Sequence, residues 1–220
     1  MDFRADLYPI GFIASFLFSF RFILQWIESE SKGFSIVNRS FWYLSIGGNI
    51  ALCLHAFIQI QYPLCLLQSL NAILAWRNLN LRSEKKTSFS KVIFILIITA
   101  FLITLAYIIQ SYLSLGYIDW IRTPRTPWQK NAAQPLSIWW HILGFIGLSI
   151  FALRFWIQWW DAEKNNAIIP NERFWQTSLI GSCIALFYFV HMHDWVNIVG
   201  YGLGIIPYAR NLILLQKKTK

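Results

Sequence analysis

The segment Phe18-Ser-Phe-Arg21-Phe-Ile-Leu-Gln25-Trp26-Ile-Glu28-Ser-Glu30 returns 133 positions later as Phe151-Ala-Leu-Arg154-Phe-Trp-Ile-Gln158-Trp159-Trp-Asp161-Ala-Glu163. The offset then holds without a gap for roughly seventy residues. A chain written this way carries two copies of one unit, and whatever it does, it does with the pair. In each copy one helix face presents a stripe at i, i+4, i+7, i+11 and i+14. The first stripe is Ala14, Phe18, Arg21, Gln25 and Glu28; the second is Gly147, Phe151, Arg154, Gln158 and Asp161. Small, aromatic, basic, amide and acidic characters recur in that order.

The repeats are apolar. With 56% hydrophobic residues, 13% charged residues and a mean hydropathy of +0.46, the chain lies outside the soluble range and is expected to be an all-α integral membrane protein. A bilayer core of about 30 Å needs roughly 20 apolar residues per helix. Seven stretches qualify, at about 7–28, 41–60, 62–80, 89–115, 137–160, 174–192 and 195–216. The opening Met-Asp-Phe-Arg-Ala-Asp lacks the basic start and cleavage site of a signal peptide, so the first stretch is expected to stay in the mature protein.

A net charge of +9 raises the possibility of nucleic acid, but the basic residues are distributed as a topology signal. Arg77, Arg82, Lys85, Lys86 and Lys91, Arg210, Lys217, Lys218 and Lys220, and Lys32, Arg39, Lys164 and Arg173 all fall on one side of a seven-span chain. That makes about 13 against about 4 opposite, which places this side in the cytoplasm, the N-terminus outside and the C-terminus inside. No basic soluble surface remains for nucleic acid.

Arg21 and Arg154 lie inside spans, where an arginine costs a few kcal/mol and ordinarily faces a cavity or a partner. Two readings stay open. Either arginine can snorkel to the interface or pair with its own acid; alternatively the two form an anionic headgroup site, with Gln25 and Gln158 as the second buried polar pair. Arg77-Asn78 and Arg210-Asn211 put a second arginine near the cytoplasmic end of each repeat, as anchors or as further headgroup contacts. Asn38 and Asn171 are placed to cap helices. The pairs Phe41-Trp42 and Phe174-Trp175 that follow are expected at the headgroup level, as an aromatic belt. Pro207, with Gly200, Gly202 and Gly204 nearby, predicts a bent or broken last helix. The basic, Trp-containing loop from Gly116 to Pro135 is expected outside, as a solvated interfacial loop.

Other chemistry is sparse. Cys53, Cys65 and Cys183 show no spacing for a disulfide framework or a zinc site. His191-x-His193-Asp194 is half a metal site without a third ligand, so no metal is expected. No nucleophile elbow, phosphate-cradling glycine loop or paired carboxylate appears; no catalytic residue and no cofactor are predicted.

The run Arg21-Phe-x-x-Gln25-Trp26-x-x-Ser29-Glu30, then Phe41-Trp42-x-x-Ser45, Gln68 and Arg77-Asn78, resembles the lipid A biosynthesis N-terminal domain. The second copy matches through Arg154-Phe-x-x-Gln158-Trp159-x-x-x-Glu163, Pro170, Phe174-Trp175-x-x-Ser178, Asp194, Gly200 and Tyr208-x-Arg210-Asn211. The copies differ at Val37 and Pro170, Gln61 and Asp194, Leu67 and Gly200, and Gln68 and Tyr201, which implies unequal roles for the halves.

This domain is related to the PQ-loop superfamily, so the resemblance implies the three-plus-one-plus-three layout of SWEET transporters. The chain divides accordingly into a first three-helix repeat (1–81), a linker helix and extracytoplasmic loop (82–135) and a second, parallel repeat (136–220). Some bacteria attach such a domain to lipid-A-disaccharide synthase, in a pathway that handles phosphorylated, acylated glucosamine lipids at the inner membrane. The implied function is a multi-pass inner-membrane protein that binds an anionic glycolipid or polyprenyl-phosphate-linked sugar and moves it across the bilayer. A non-catalytic subunit or anchor for a lipid A glycosyltransferase is the alternative, and a SWEET-like sugar carrier a third. No glycosyltransferase domain is expected among these residues, so the chain itself is not expected to catalyse the transfer. The candidate substrate-binding residues are Arg21, Gln25, Trp26, Glu28, Arg77, Asn78, Arg154, Gln158, Trp159, Asp161, Tyr201, Arg210 and Asn211.

Overall fold

The computed structural model describes residues 3–32, 37–128, 136–165 and 171–218; Lys130, Pro135, Pro170 and Lys220 lie outside them. Helices α1 (Phe3–Asp6), α2 (Gly11–Lys32), α3 (Arg39–Gln59), α4 (Tyr62–Asn80), α5 (Phe89–Leu115), α6 (Ile138–Asn165), α7 (Glu172–Met192) and α8 (Trp195–Lys218) account for the fold, with a 3-10 turn at Tyr8–Ile10. Among the described residues the only strand-like pairing is one antiparallel bridge between Gln61 and Ile121.

The repeat is visible in how helices begin and end. Asn38 caps α3 by accepting from the Phe41 N–H at 2.9 Å, and Asn171 caps α7 from Phe174 at 3.1 Å. Each cap is braced by an acid of the preceding helix: the Asn38 amide donates to Glu28 at 2.6 Å, and the Asn171 amide donates to Asp161. At the other ends, Ile60 (φ 61°) and His193 (φ 54°) occupy the left-handed region at equivalent positions. A β-branched residue there is strained. The hairpin it makes is held by bonds from Gln61 N to Ala56 O at 2.9 Å and, in the second repeat, from Asp194 N to Phe189 O at 3.1 Å.

The buried faces of α3 and α7 coincide position for position. Phe41, Trp42, Ser45, Gly48, Asn49, Leu52, His55, Ala56 and Gln59 match Phe174, Trp175, Ser178, Gly181, Ser182, Ala185, Tyr188, Phe189 and Met192. The Phe-Trp pairs are therefore core and not a headgroup belt. All four rings are 2% exposed or less, because the caps start each helix with that pair on its inner face.

Packing around the molecule runs α2 on α3, α3 on α4, α4 on α6, α6 on α7, α7 on α8 and α8 back on α2, a closed ring with α5 laid against α4. Small residues set the close approaches. A Cβ at Gly181 would lie 2.5 Å from the backbone nitrogen of Phe151, and one at Gly48 2.5 Å from the Phe18 ring.

Six helical segments are long and apolar enough to cross a membrane, namely Phe3–Lys32, Arg39–Gln59, Phe89–Leu115, Ile138–Lys164, Glu172–Met192 and Trp195–Leu215. The chain is thus a multi-pass membrane protein by length and composition. Helix α4, counted among seven spans on sequence, falls short because it carries Gln68, Asn71, Arg77 and Asn78; all four are buried where α3, α5 and α6 shield it. Helix α8 is not broken. It runs through Pro207, whose carbonyl accepts from the Asn211 amide at 2.8 Å.

Two buried clusters fill the ring, each drawing on both repeats. One gathers Tyr8, Leu52, Leu64, Leu148, Tyr188, Phe189 and Tyr201; the other gathers Phe22, Phe41, Trp42, Phe155, Trp159, Phe174, Trp175 and Tyr208. Residues 119–126 fold over the first of these clusters, with Ile121 packed against it. Tyr62 N bonds to Trp120 O at 3.0 Å and Arg122 N to Ile60 O at 2.9 Å, while Arg4 bonds to the carbonyls of Gln59 and Thr123 at 2.8 and 2.9 Å. This part of the loop is docked and hydrogen-bonded to the bundle.

Candidate functional site

Arg21 and Arg154 are 1% and 3% exposed and line one cavity between the repeats, so neither snorkels and neither meets its own acid. The cavity sits where the two buried clusters meet, with Ala14, Leu52, Val196 and Tyr201 from one and Phe22 and Tyr208 from the other. Ser15, Phe18, Gln68, Phe151, Asn197 and Gly200 complete its wall. Among the described residues no carboxylate lines it.

Each guanidinium is held in a cage of aromatic faces. The Arg21 carbon Cζ lies 4.8, 4.4 and 4.6 Å from the ring centres of Phe18, Phe22 and Phe41. Arg154 lies 3.5, 4.6 and 5.6 Å from those of Phe151, Phe155 and Tyr208. The hydrogen bonds break the symmetry. Arg21 Nη1 donates to Ser45 Oγ at 2.7 Å, whereas Arg154 Nη1 donates to the Tyr208 hydroxyl at 2.7 Å. Both Nε atoms are buried without a hydrogen-bond partner, and so is Asn197 Oδ1.

The electrostatics are one-sided. Burying an ion costs several kcal/mol after relaxation, and a desolvated cation–π contact returns about 2 kcal/mol. The two like charges also face one small cavity, where each raises the cost of the other. An anion between them removes the repulsion and uses the free Nε donors. The cavity is about 20 Å³, room for roughly one water molecule, so a larger anion needs the helices to part.

On sequence alone thirteen residues form one group; the structure divides them. Arg21, Arg154 and Tyr201 line the cavity. Gln25 exchanges hydrogen bonds with Asn211 at 3.0 and 3.3 Å and donates to Ser29 at 3.1 Å, so its amide is taken up across the α2/α8 seam and does not line the cavity. Arg210 pairs with Glu30 at 2.5 and 3.0 Å, and the Trp26 indole donates to the same carboxylate at 3.0 Å. The opposite seam repeats the motif in exchange: Arg77 pairs with Glu163 at 2.6 Å, and Trp159 donates to Glu163 at 2.9 Å. These second arginines join one repeat to the other. Glu28 and Asp161 brace the caps, Asn78 donates to Leu74 O at 2.9 Å, and Gln158 is buried at 1% exposure.

The rest of the wall escapes sequence reasoning as part of a binding site, including its polar members Ser15, Gln68, Asn197 and Tyr208. Tyr208 was legible only as part of the second-copy motif, and Gln68 as part of the first-copy motif and as the departure opposite Tyr201. A second polar cluster also appears. Asp194, fully buried, accepts from Tyr8 at 3.0 Å, Gln61 at 3.2 Å and Asn197 at 2.8 Å. Gln61 and Asp194 are equivalent positions at the 133-residue offset, so this hydrogen bond joins the two copies at the same point of the repeat. Among the described residues no group of three or more His, Cys, Asp or Glu is arranged for a metal ion. His191 instead stacks on Trp140 at 3.8 Å, and the Cys53 and Cys65 thiols share a hydrogen bond at 3.5 Å without a disulfide.

The family described as Lipid A Biosynthesis N-terminal domain matches residues 10–80 and again 143–213, the first covering α2 to α4 and the second most of α6 to α8. Relatives include proteins named lipid-A-disaccharide synthase from Chlamydia felis, 39% identical, Chlamydia caviae, 37%, and Chlamydia pneumoniae, 35%, each over 214 residues. These alignments cover 97% of this chain and 34% of each relative, so the chain spans about a third of their length. No solved structure matches it. The chain belongs to the lipid A biosynthesis N-terminal domain family and carries that domain twice.

Proposed function

We propose that this chain is a membrane module of lipid A biosynthesis that binds the anionic headgroup of a glycolipid or polyprenyl-phosphate-linked sugar between its two repeats and carries it across the inner membrane. One observation supports this above the rest: Arg21 and Arg154 are equivalent in the repeat, line the same cavity and, among the described residues, meet no carboxylate there. Arginine suits phosphate through paired N–H donors in a fixed plane. The relatives named lipid-A-disaccharide synthase supply the pathway.

In this reading α2 to α4 and α6 to α8 are parallel repeats joined by α5. Helix α4 crosses with the others, the N-terminus is outside, and the ring opens toward one face and then the other around a fixed site. The test is a translocation assay in proteoliposomes with a lipid-linked sugar phosphate. Transport that is abolished by Arg21→Gln with Arg154→Gln is the expected result; transport that survives the double substitution refutes the site.

A second reading is favoured by the architecture of the relatives, in which the match covers 34% of the length and the rest lies outside it. There the chain is a non-catalytic membrane subunit that holds a lipid A glycosyltransferase at the bilayer and presents its glycolipid. A stable complex in which glycosyl transfer depends on this chain, without transport by the chain alone, selects this reading.

A further inference from the structure

The two seams between the repeats are equivalent in sequence and unequal in the fold. At the α4/α6 seam α5 lies over the joint: Phe89 stacks on Trp159 at 5.3 Å and 16°, and Val92 and Leu96 are buried with Leu74, Phe155 and Trp159 in one cluster. At the α2/α8 seam the equivalent of Trp159 is Trp26, 43% exposed where Trp159 is 5%. Ile23, Leu203 and Ile206 beside it are 49%, 51% and 65% exposed. With Phe22 and Pro207 they line an apolar groove of about 170 Å³.

Phe22 is a wall of both spaces. The groove and the paired-arginine cavity thus adjoin at this side chain, and the cavity's Tyr208 directly follows the groove's Pro207. The polar closure of this seam is also the looser one. Arg210 and Glu30 have side chains 35% and 39% exposed, against 3% and 17% for Arg77 and Glu163, and an exposed ion pair contributes little to stability.

We infer that the α2/α8 groove is an acyl-chain site, continuous with the arginine cavity, so that the ligand is a membrane-dissolved anionic lipid that enters sideways from the bilayer through this seam. The inference rests on the headgroup reading of the cavity. It explains why one seam is sealed by an extra helix and its twin is not. It also explains how a site too small for a lipid can serve one, since parting α2 from α8 joins the groove to the cavity and leaves the chain in an apolar surrounding throughout.

The test uses the full chain in nanodiscs with two probes: an acylated glucosamine phosphate carrying a diazirine in its acyl chain, and deacylated glucosamine phosphate. Photolabel on residues of the α2/α8 groove, competed by excess unlabelled lipid, is expected. Leu203→Trp with Ile206→Trp, which fills the groove from its lipid-facing side, should reduce labelling at least tenfold and leave binding of the deacylated probe unchanged. Phe101→Trp, on the exposed face of α5, should label as wild type does, and thermal unfolding of each variant confirms that it folds. Label distributed evenly around the ring, or undiminished in the filled variant, overturns the inference alone. If the deacylated probe binds Arg21→Gln/Arg154→Gln as it binds the wild type, the headgroup reading falls and takes this inference with it.

Discussion

Arg21 and Arg154 bring two charges to a place where the described residues supply aromatic faces, one serine and one tyrosine hydroxyl but no counter-charge. Residues kept at such a cost are candidates for function, because apolar replacement of buried charge is commonly neutral or stabilising by about 1–4 kcal/mol. Arg21→Met is therefore expected to keep or raise the thermal midpoint while abolishing headgroup binding; a large loss of stability would mark the arginine as structural. Tyr208→Phe removes the acceptor of Arg154 and leaves a buried donor unpaired, a loss of about 1–3 kcal/mol readable by thermal unfolding in detergent. Sequence periodicity was enough to put Phe18 and Arg21, or Phe151 and Arg154, on one helix face. It could not pair Arg154 with Tyr208, because the equivalent position in the first repeat is Ala75 and nothing in the repeat points there.

Elements were legible where local chemistry decides them. Asn38 and Asn171 act as caps because a side-chain oxygen at that position satisfies a free N–H whatever the rest of the chain does. The aromatic pairs beside them were misread, since a belt and a core use the same residues and only the closed ring turns Trp42 and Trp175 inward. Helix α4 was over-read in apolarity for the complementary reason: its amides are tolerated because neighbours cover them. The glycines report how close the helices come. Gly181→Ala sets a methyl against the Phe151 backbone, which cannot swing aside, and is expected to cost about 1–3 kcal/mol. Gly47→Ala, whose nearest neighbour is the Leu17 side chain at 3.4 Å, should leave the melting temperature close to that of the wild type. Equal losses at the two positions would show that α6 and α7 are not packed through Gly181.

At the scale of the molecule the repeats are interlocked. Each contributes an arginine to the other's glutamate, Arg77 to Glu163 and Arg210 to Glu30, and both buried clusters are shared. The two ion pairs differ in burial, so their removal should differ. Glu163→Gln strips a buried arginine of its carboxylate and is expected to destabilise by about 3 kcal/mol. Glu30→Gln, at an exposed pair, should change thermal stability little. The repeat offset announced that two units exist, but how they meet depends on contacts between residues more than a hundred positions apart, such as Tyr8 with Asp194 and Gln25 with Asn211, which no local pattern encodes.

The central claim is that the paired arginines form one anionic site between the repeats. Native mass spectrometry of the protein in nanodiscs, with an acylated glucosamine phosphate and its dephosphorylated counterpart, tests it most directly. The wild type should retain the phosphorylated lipid over the dephosphorylated one, and Arg21→Gln/Arg154→Gln should retain neither. Equal retention of the phosphorylated lipid by wild type and double variant would contradict the account.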